Sequence, residues 1–485
     1  CQLLTESLVL AAVSGLAGVL LGVWLDRLLP LALGLDALGV KMAGVQWQVL
    51  AFALVLSAAT GVLFGVVPAV RGARLDLSQA LAPGSRTTEG RSGTRLRGAL
   101  TVAQVALTLF LLAGAGLLVQ SLARLAGTDP GFKAEHLLTG EIQLLRTQYP
   151  EPAQRVAFFD GLREDLSAIP GVTAVGFSSH LPIRDPAGNY RMWAADHPPA
   201  DPAARPMADL RIVLPGYFAA VGIPIKAGRD IDRRDSQNAP AALVISELMA
   251  RTLFGNRNPI GQRVMVDQGD KPLAFDVVGV VRDARINAIG QEARMAMYAS
   301  YYQFPSGRLR LAVRTAVAPE AVTQTVRRLV SARDPDVPIE NLVTMEALIS
   351  HSMLPQRVTT ITLTAFSLVA MLLASIGLYG VLAYFVSQRT HEIGVRMALG
   401  AGTRSVLRMV LARAWLIIGA GMAAGLGASL AGGRLLAGLL YGVDASDPPT
   451  LATVSLALAL VALAASAVPA WRAAHIDPMT ALRNE

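Results

Sequence analysis

Six runs of apolar residues punctuate the chain, at positions 7–25, 49–70, 99–122, 358–386, 409–437 and 451–471. A helix needs about 20 consecutive apolar residues to cross a bilayer, and each run has that length. Residues 123–357, between the third and fourth runs, are mostly polar. Two polar stretches next to the runs are rich in arginine. One carries Arg71, Arg74, Arg86, Arg91, Arg95 and Arg97, and reads as a flexible linker over 72–98. The other, Ser387–Arg408, carries Arg389, Arg396, Arg404 and Arg408. The turn from Gly442 to Pro449 has no Lys or Arg. Basic loops stay in the cytoplasm, so six crossings put both arginine-rich stretches inside and residues 123–357 outside.

Within the second stretch the pattern predicts a short helix, Thr390 to Leu399, ended by Gly400 and Gly402. Glu392 and Arg396 stand four apart, on one face and within pairing reach. A helix on the membrane face between two spans is placed where a soluble partner can push it.

The external segment reads as two β-α-β units separated by strand-rich sequence. In the first, at 133–210, a strand near Leu138 to Leu145 precedes a helix begun by Pro152. That helix has Val156, Phe159, Leu162 and Leu166 on one face, and the strand Val172 to Ser178 follows. In the second, at 305–355, Leu309, Leu311 and Val313 alternate, and the helix Pro319 to Ala332 shows Val322, Val326 and Leu329. The pair suggests a ferredoxin-like sandwich with an inserted subdomain at about 211–304. The fold class expected is thus an α-helical membrane domain of six spans plus an α+β extracytoplasmic domain. The segments are 1–71 (two spans), the linker 72–98, the span 99–122, the external domain 123–357, and 358–485 with three spans.

Composition agrees with this division. The 485 residues are 53% hydrophobic and 16% charged, too apolar for an ordinary soluble protein and too charged for a purely membranous one. The net charge of +8 resides mainly in the membrane-flanking parts. No basic stripe with interleaved aromatics points to nucleic acid. The single cysteine, Cys1, excludes an intrachain disulfide.

Catalytic and metal chemistry is missing from the motifs. The four lysines, Lys41, Lys133, Lys226 and Lys271, are not followed by Ser or Thr, so there is no phosphate-cradling P-loop. His391-Glu392 opens like a zinc motif, but Val395 stands where the second His belongs, and neither Arg396 nor Met397 is a ligand. The run Arg229-Asp-Ile-Asp-Arg-Arg-Asp has as many bases as acids and reads as a solvated turn, not a Ca²⁺ loop. No site for a metal or cofactor is expected, and the chain is read as a non-enzyme. None of the six apolar runs contains Asp, Glu or His, which disfavours ion-coupled transport. Small residues are frequent instead. Gly18 and Gly22, Gly61 and Gly65, and Gly421 and Gly425 form GxxxG pairs, and Ala370, Ala374 and Gly377 a related stripe. These permit close helix packing.

The chain also repeats itself. Residues 67–81 and 468–482 match at eight of fifteen positions, Pro, Arg and Asp among them. The first copy holds only its last two helices, so the full-length chain is expected to extend upstream of Cys1 with another polar loop like Ser387–Arg408.

Glu392-Ile393-Gly394-Val395-Arg396-Met397-Ala398-Leu399-Gly400-Ala401 resembles the cytoplasmic signature loop of MacB/FtsX-type ABC transporter permeases. Tyr441-Gly442-Val443, Asp447-Pro448-Pro449-Thr450 and Ile476-Asp477-Pro478-Met479 are similar to that family's closing pattern. Pro215-Gly216-Tyr217-Phe218, Gly228-Arg229-Asp230 and Asn258-Pro259-Ile260-Gly261 resemble its periplasmic domain. The duplication resembles permeases of the acidobacterial type. The resemblance implies an inner-membrane permease subunit of an ATP-driven exporter or mechanotransmission system, with ATP bound by a separate cytoplasmic ABC ATPase. It implies that Glu392, Ile393, Gly394, Arg396, Met397, Ala398, Leu399, Gly400 and Ala401 couple to that ATPase. A periplasmic adaptor or outer-membrane channel would complete an efflux path. The alternative is a membrane scaffold or signalling protein that regulates a periplasmic partner, such as a cell-wall enzyme, without exporting anything.

Overall fold

The computed structural model describes residues 5, 9, 11–20, 22–24, 47–73, 86–183, 187–267, 271–285, 290–399, 402–436, 438 and 440–475. Helix α1 covers Ala11–Trp24, α2 Trp47–Ala73 and α3 Arg86–Ala126. The sequence pattern makes 86–98 part of a flexible linker; in the structure those residues continue the helix of the span. Once a span is helical, each further residue adds one hydrogen bond without a new nucleation cost.

The external domain follows. Strand β1 (Leu137–Gln143), helix α4 (Pro152–Ser167) and strand β2 (Val172–Ser178) form the first unit. Pro152 starts α4, and Glu151 and Gln154 close a reciprocal capping box. Then come β3 (Gly188–Ala194), β4 (Met207–Val213), α5 (Tyr217–Val221) and β5 (Ile225–Gly228). Next are β6 (Ala242–Ser246), α6 (Glu247–Phe254), β7 (Arg263–Val266), β8 (Leu273–Val281) and β9 (Ala296–Ser300). The domain ends with β10 (Arg308–Thr315), α7 (Pro319–Arg333), β11 (Ile339–Thr344) and α8 (Met345–Ser352).

Four strands lie in the antiparallel order β11-β1-β10-β2, with α4 and α7 packed on them. Their core includes Phe159, Leu162, Phe177, Leu311 and Val326. The α7 stripe is Val322, Val326 and Val330, with Leu329 only half buried against it.

From Ser178, which pairs with Val213, the sheet passes to the remaining strands. There β4 pairs with both β3 and β9, so the path β4-β3-β7-β8-β6-β9 closes on itself. The inserted subdomain is therefore a six-stranded barrel, filled by Leu243, Ile245, Val264, Phe275 and Met297. The barrel takes in β3 and β4, which begin before the start at about residue 211 expected from the strand-rich sequence between the two units. The reason is pairing: β3 and β4 hydrogen-bond into the barrel wall.

Helices α9 (Leu354–Gln388), α10 (Thr390–Ala398), α11 (Thr403–Leu436) and α12 (Pro448–Ala474) complete the chain. Among the described residues, four helices are long and apolar enough to cross a membrane: those at Arg97–Ala126, Leu354–Gln388, Thr403–Gly433 and Pro448–Ala474. The stretches Ala11–Trp24 and Trp47–Ala59 are shorter apolar helices.

The chain divides into two compact units. One comprises Ala103–Ile376 and Ile418–Ala467, the other Cys1–Val102, Gly377–Ile417 and Val468–Glu485. In the first unit α3 is the helix the others pack on. Val105 and Leu109 of α3 cluster with Ala374 of α9, Leu426 of α11 and Leu458 of α12. In the second, Ser57 of α2 donates to the Ala11 carbonyl at 2.9 Å.

Candidate partner-docking site

Helix α10 stands alone between two long helices because its ends are interrupted. Arg389, at φ −112° and ψ 13°, lies outside helical geometry and separates α9 from α10. The Thr390 hydroxyl turns back to the Val386 carbonyl at 3.1 Å. At the other end Leu399 closes the helix, its amide bonded to the Val395 carbonyl at 3.0 Å. Leu399 is 83% exposed, an apolar side chain standing free at the helix end.

Among the described side chains of α10, Ile393 is the one completely buried, and it anchors the helix. The charged residues face away. Arg396 Nη2 lies 2.6 Å from Glu392 Oε1, and Arg389 Nε lies 3.7 Å from Glu392 Oε2. The Arg389 guanidinium covers the Phe385 ring at 4.8 Å. All three charged side chains are about half exposed. The result is a rigid presentation of an acid between two bases, with Glu392 in the first turn and Arg396 in the last, both favoured by the helix dipole. A basic and acidic partner surface of complementary order can read this face. Gly400 and Ala401 lie outside the described residues, as do the side-chain surroundings of Gly394 and Ala398.

Tyr379, Tyr384 and Gln388 of the same unit were not singled out in the sequence. The Arg97 guanidinium covers the Tyr384 ring at 4.2 Å, and Arg472 Nη1 donates to the Tyr379 hydroxyl at 3.2 Å. Gln388 also donates to the Tyr384 hydroxyl, at 2.6 Å. Arginines flanking spans and tyrosines near helix ends are the signal of a membrane interface, and that signal was legible in these residues.

The glycine pairs fare differently. A Cβ on Gly425 would lie 2.8 Å from the Ala106 carbonyl oxygen and 2.9 Å from Leu109 Cβ, so α11 and α3 touch there. A Cβ on Gly18 or Gly22 meets nothing within 4 Å among the described residues, whereas one on Gly15 would meet Ser57 Oγ at 2.8 Å. The surroundings of Gly61 and Gly65 lie outside the described residues. Gly421 is buried. The α9 stripe is close-packed: Thr108 of α3 donates to the Ala370 carbonyl at 3.2 Å, and Ala374 is buried against Val105 and Leu109.

The acidic run at 229–235 is an ion-pair turn. Arg229 grips Asp235 with two bonds of 2.7 Å, and Arg234 holds Asp232 at 2.7 Å. The Arg234 side chain, with its backbone amide and Arg229 beside it, pulls the Asp232 carboxyl down to about 2. Among the described residues no cluster of three His, Cys, Asp or Glu side chains is set to hold a metal ion.

Comparison with known proteins fits this layout. Residues 99–331 match the MacB-like periplasmic core domain, and residues 364–478 match the FtsX-like permease C-terminal domain. The chain belongs to the MacB/FtsX-type ABC transporter permeases. The permease is 27% identical over 275 residues to a "Macrolide export ATP-binding/permease protein MacB" of Marinobacter nauticus, covering 54% of this chain and 41% of that protein. It is 28% identical over 279 residues to a "Pyoverdine export ATP-binding/permease protein PvdT" of Pseudomonas syringae pv. tomato, covering 56% and 42%. The permease thus spans about two fifths of the length of these curated relatives. The periplasmic region of MacB from Actinobacillus actinomycetemcomitans aligns with 44% of this chain and 90% of its own, at 16% identity and a TM-score of 0.29. The permease is a multi-pass membrane protein with a MacB-like external domain.

Proposed function

We propose that this permease couples a separate cytoplasmic ABC ATPase to its periplasmic domain, as one subunit of an ATP-driven exporter or mechanotransmission system in the inner membrane. The observation that carries the proposal is α10 itself. A short helix held at both ends, anchored by buried Ile393 and presenting Glu392 and Arg396, is suited to receive a push and pass it to α9 and α11. Such a push is transmitted by rigid helices moving between two arrangements. ATP is bound by the partner, and this chain supplies no catalytic residue and no cofactor site. Residues 390–401 are the coupling loop, Gly400 and Ala401 included.

Several finer points go with this reading. The strand order β11-β1-β10-β2 with two helices supports a ferredoxin-like core. Helices α1 and α2 are read as the first two of six crossings, the last two helices of a first copy of the permease unit. The names of the relatives, which mention export of macrolides and pyoverdine, support an efflux role; in that role an adaptor or outer-membrane channel would be a further partner.

The test is a pull-down of the full-length permease from its native membrane in detergent, with and without Glu392→Ala plus Arg396→Ala. An ABC ATPase that co-purifies with the unaltered protein and is lost from the variant supports coupling through α10. Absence of any ATPase overturns the proposal and leaves a scaffold that regulates a periplasmic partner.

A further inference from the structure

The loop after β8 touches three parts of the molecule at once. Its backbone is tied to the neck that follows α3: the Arg285 amide donates to the Pro130 carbonyl at 2.8 Å, and Arg282 pairs with Asp129 at 2.8 Å. Gly131, at φ +82°, fits so tightly that a Cβ there would lie 2.4 Å from the Asp283 carbonyl oxygen. Asp283 meanwhile accepts from the Leu248 amide at 2.7 Å and from Arg251 at 2.8 Å, which fixes the start of α6 on the barrel. The third contact leaves the external domain. Arg285 Nη1 donates to the Tyr441 hydroxyl at 2.5 Å, in the turn between α11 and α12.

That turn is itself clamped to α3. The Tyr441 amide donates to Ser121 Oγ at 2.8 Å, and Arg124 donates to the Gly442 carbonyl. Asp447 caps α12 through Thr450, accepting from its amide at 3.1 Å and its hydroxyl at 2.7 Å. With the Gln120 amide nitrogen facing Asp447 at 3.3 Å, its oxygen accepts from Arg124 at 3.2 Å.

We infer that Arg285 and Tyr441 are the positioning pair that joins the inserted barrel to the α11–α12 hairpin, so that movement of the hairpin is delivered to the barrel. This inference rests on the mechanotransmission reading above and names its outer contact. The physical ground is that this side-chain bond links the barrel's loop to the hairpin, with the same guanidinium 5.9 Å from the Tyr441 ring centre and donating to the Gln291 carbonyl at 3.1 Å, while the loop bearing Arg285 is held by backbone on the neck and by Asp283 on α6. A tie between two otherwise well-fixed bodies passes displacement from one to the other.

The experiment is amide hydrogen exchange on the full-length permease with its co-purified ATPase, with and without a non-hydrolysable ATP analogue. In the unaltered complex, nucleotide is expected to change exchange both in α10 and at Arg282–Arg285. In Arg285→Met and in Tyr441→Phe, the change in α10 persists and that at Arg282–Arg285 disappears. Combining the two substitutions adds nothing beyond Arg285→Met alone, because that change removes the Tyr441 bond together with the Arg285 bond to the Gln291 carbonyl. Persistence of the Arg282–Arg285 response in either variant overturns the inference, as does its absence from the unaltered complex. If no ATPase co-purifies, the coupling reading fails on its own account. The pair is then judged without nucleotide: Tyr441→Phe should speed exchange at Arg282–Arg285 by about tenfold. Unchanged exchange there overturns the pair.

Discussion

Gly425 of α11 lies against the Ala106 backbone of α3: a Cβ at position 425 would stand 2.8 Å from the Ala106 carbonyl oxygen. Backbone of one helix lies against backbone of the other, and only a glycine leaves room. Gly425→Val should force the helices apart and destabilise the membrane bundle by about 1–3 kcal/mol, the usual range for overpacking. Gly18→Val meets nothing within 4 Å among the described residues and should change little. Thermal unfolding of the detergent-solubilised protein distinguishes them, and equal effects would refute the packing assignment.

On α10 the anchor and the exposed pair should separate. Ile393 is fully buried, so Ile393→Ala should lower stability by about 2–4 kcal/mol. Glu392 and Arg396 are an exposed i,i+4 pair, so their replacement by alanine should cost no more than about 0.5 kcal/mol. The double variant should therefore stay folded while losing its partner. Loss of folding in the Glu392/Arg396 variant would show that these residues hold the helix, not a partner.

Arg211 on β4 is completely buried, and none of its three side-chain nitrogens has a hydrogen-bond acceptor among the described residues. A guanidinium stays charged, and a buried charge without a bonded partner is costly. Arg211→Met keeps the length of the side chain and removes the charge. It should raise stability by about 1–3 kcal/mol. A fall of similar size, measured by denaturant unfolding, would mean that the charge is satisfied.

The external domain should weaken in alkali. Burial, then the 2.7 Å bond to Asp334, pushes the Tyr149 phenol up to about 12. Burial, then the 2.8 Å bond to Asp160, does the same for Tyr302. In the unfolded chain these phenols ionise near 10. The unfolded state therefore releases protons first, so the stabilisation is complete below about pH 10 and is lost as pH rises towards 12. Tyr149→Phe with Tyr302→Phe should flatten the fall in Tm between pH 10 and 12. An unchanged slope would place the alkaline sensitivity elsewhere.

Short-range patterns are enough to reveal the membrane segments and α10. Apolar run length, the arginines beside the runs and the glycines after Leu399 are features of contiguous residues. Pro152 and Pro319 likewise mark where α4 and α7 begin, and the structure starts both helices there. These signals are local because helix formation and capping depend on neighbours within a few residues.

The close glycine contacts were legible only as candidates. Gly18, Gly22 and Gly425 look alike in sequence, yet only Gly425 meets a neighbouring helix among the described residues. Spacing tells which residues share a helix face, not which face meets another helix.

The chain alone determined where it turns hydrophobic, which loops are basic and which short helix stands between two spans. Folding in three dimensions decided that β4 reaches β9 to close a barrel, that α3 is the helix on which α9, α11 and α12 pack, and that Arg285 meets Tyr441. Each of those contacts joins residues far apart in the chain. Such pairings are selected by complementary surfaces and closure of the hydrogen-bond ladder, which no local window of sequence contains.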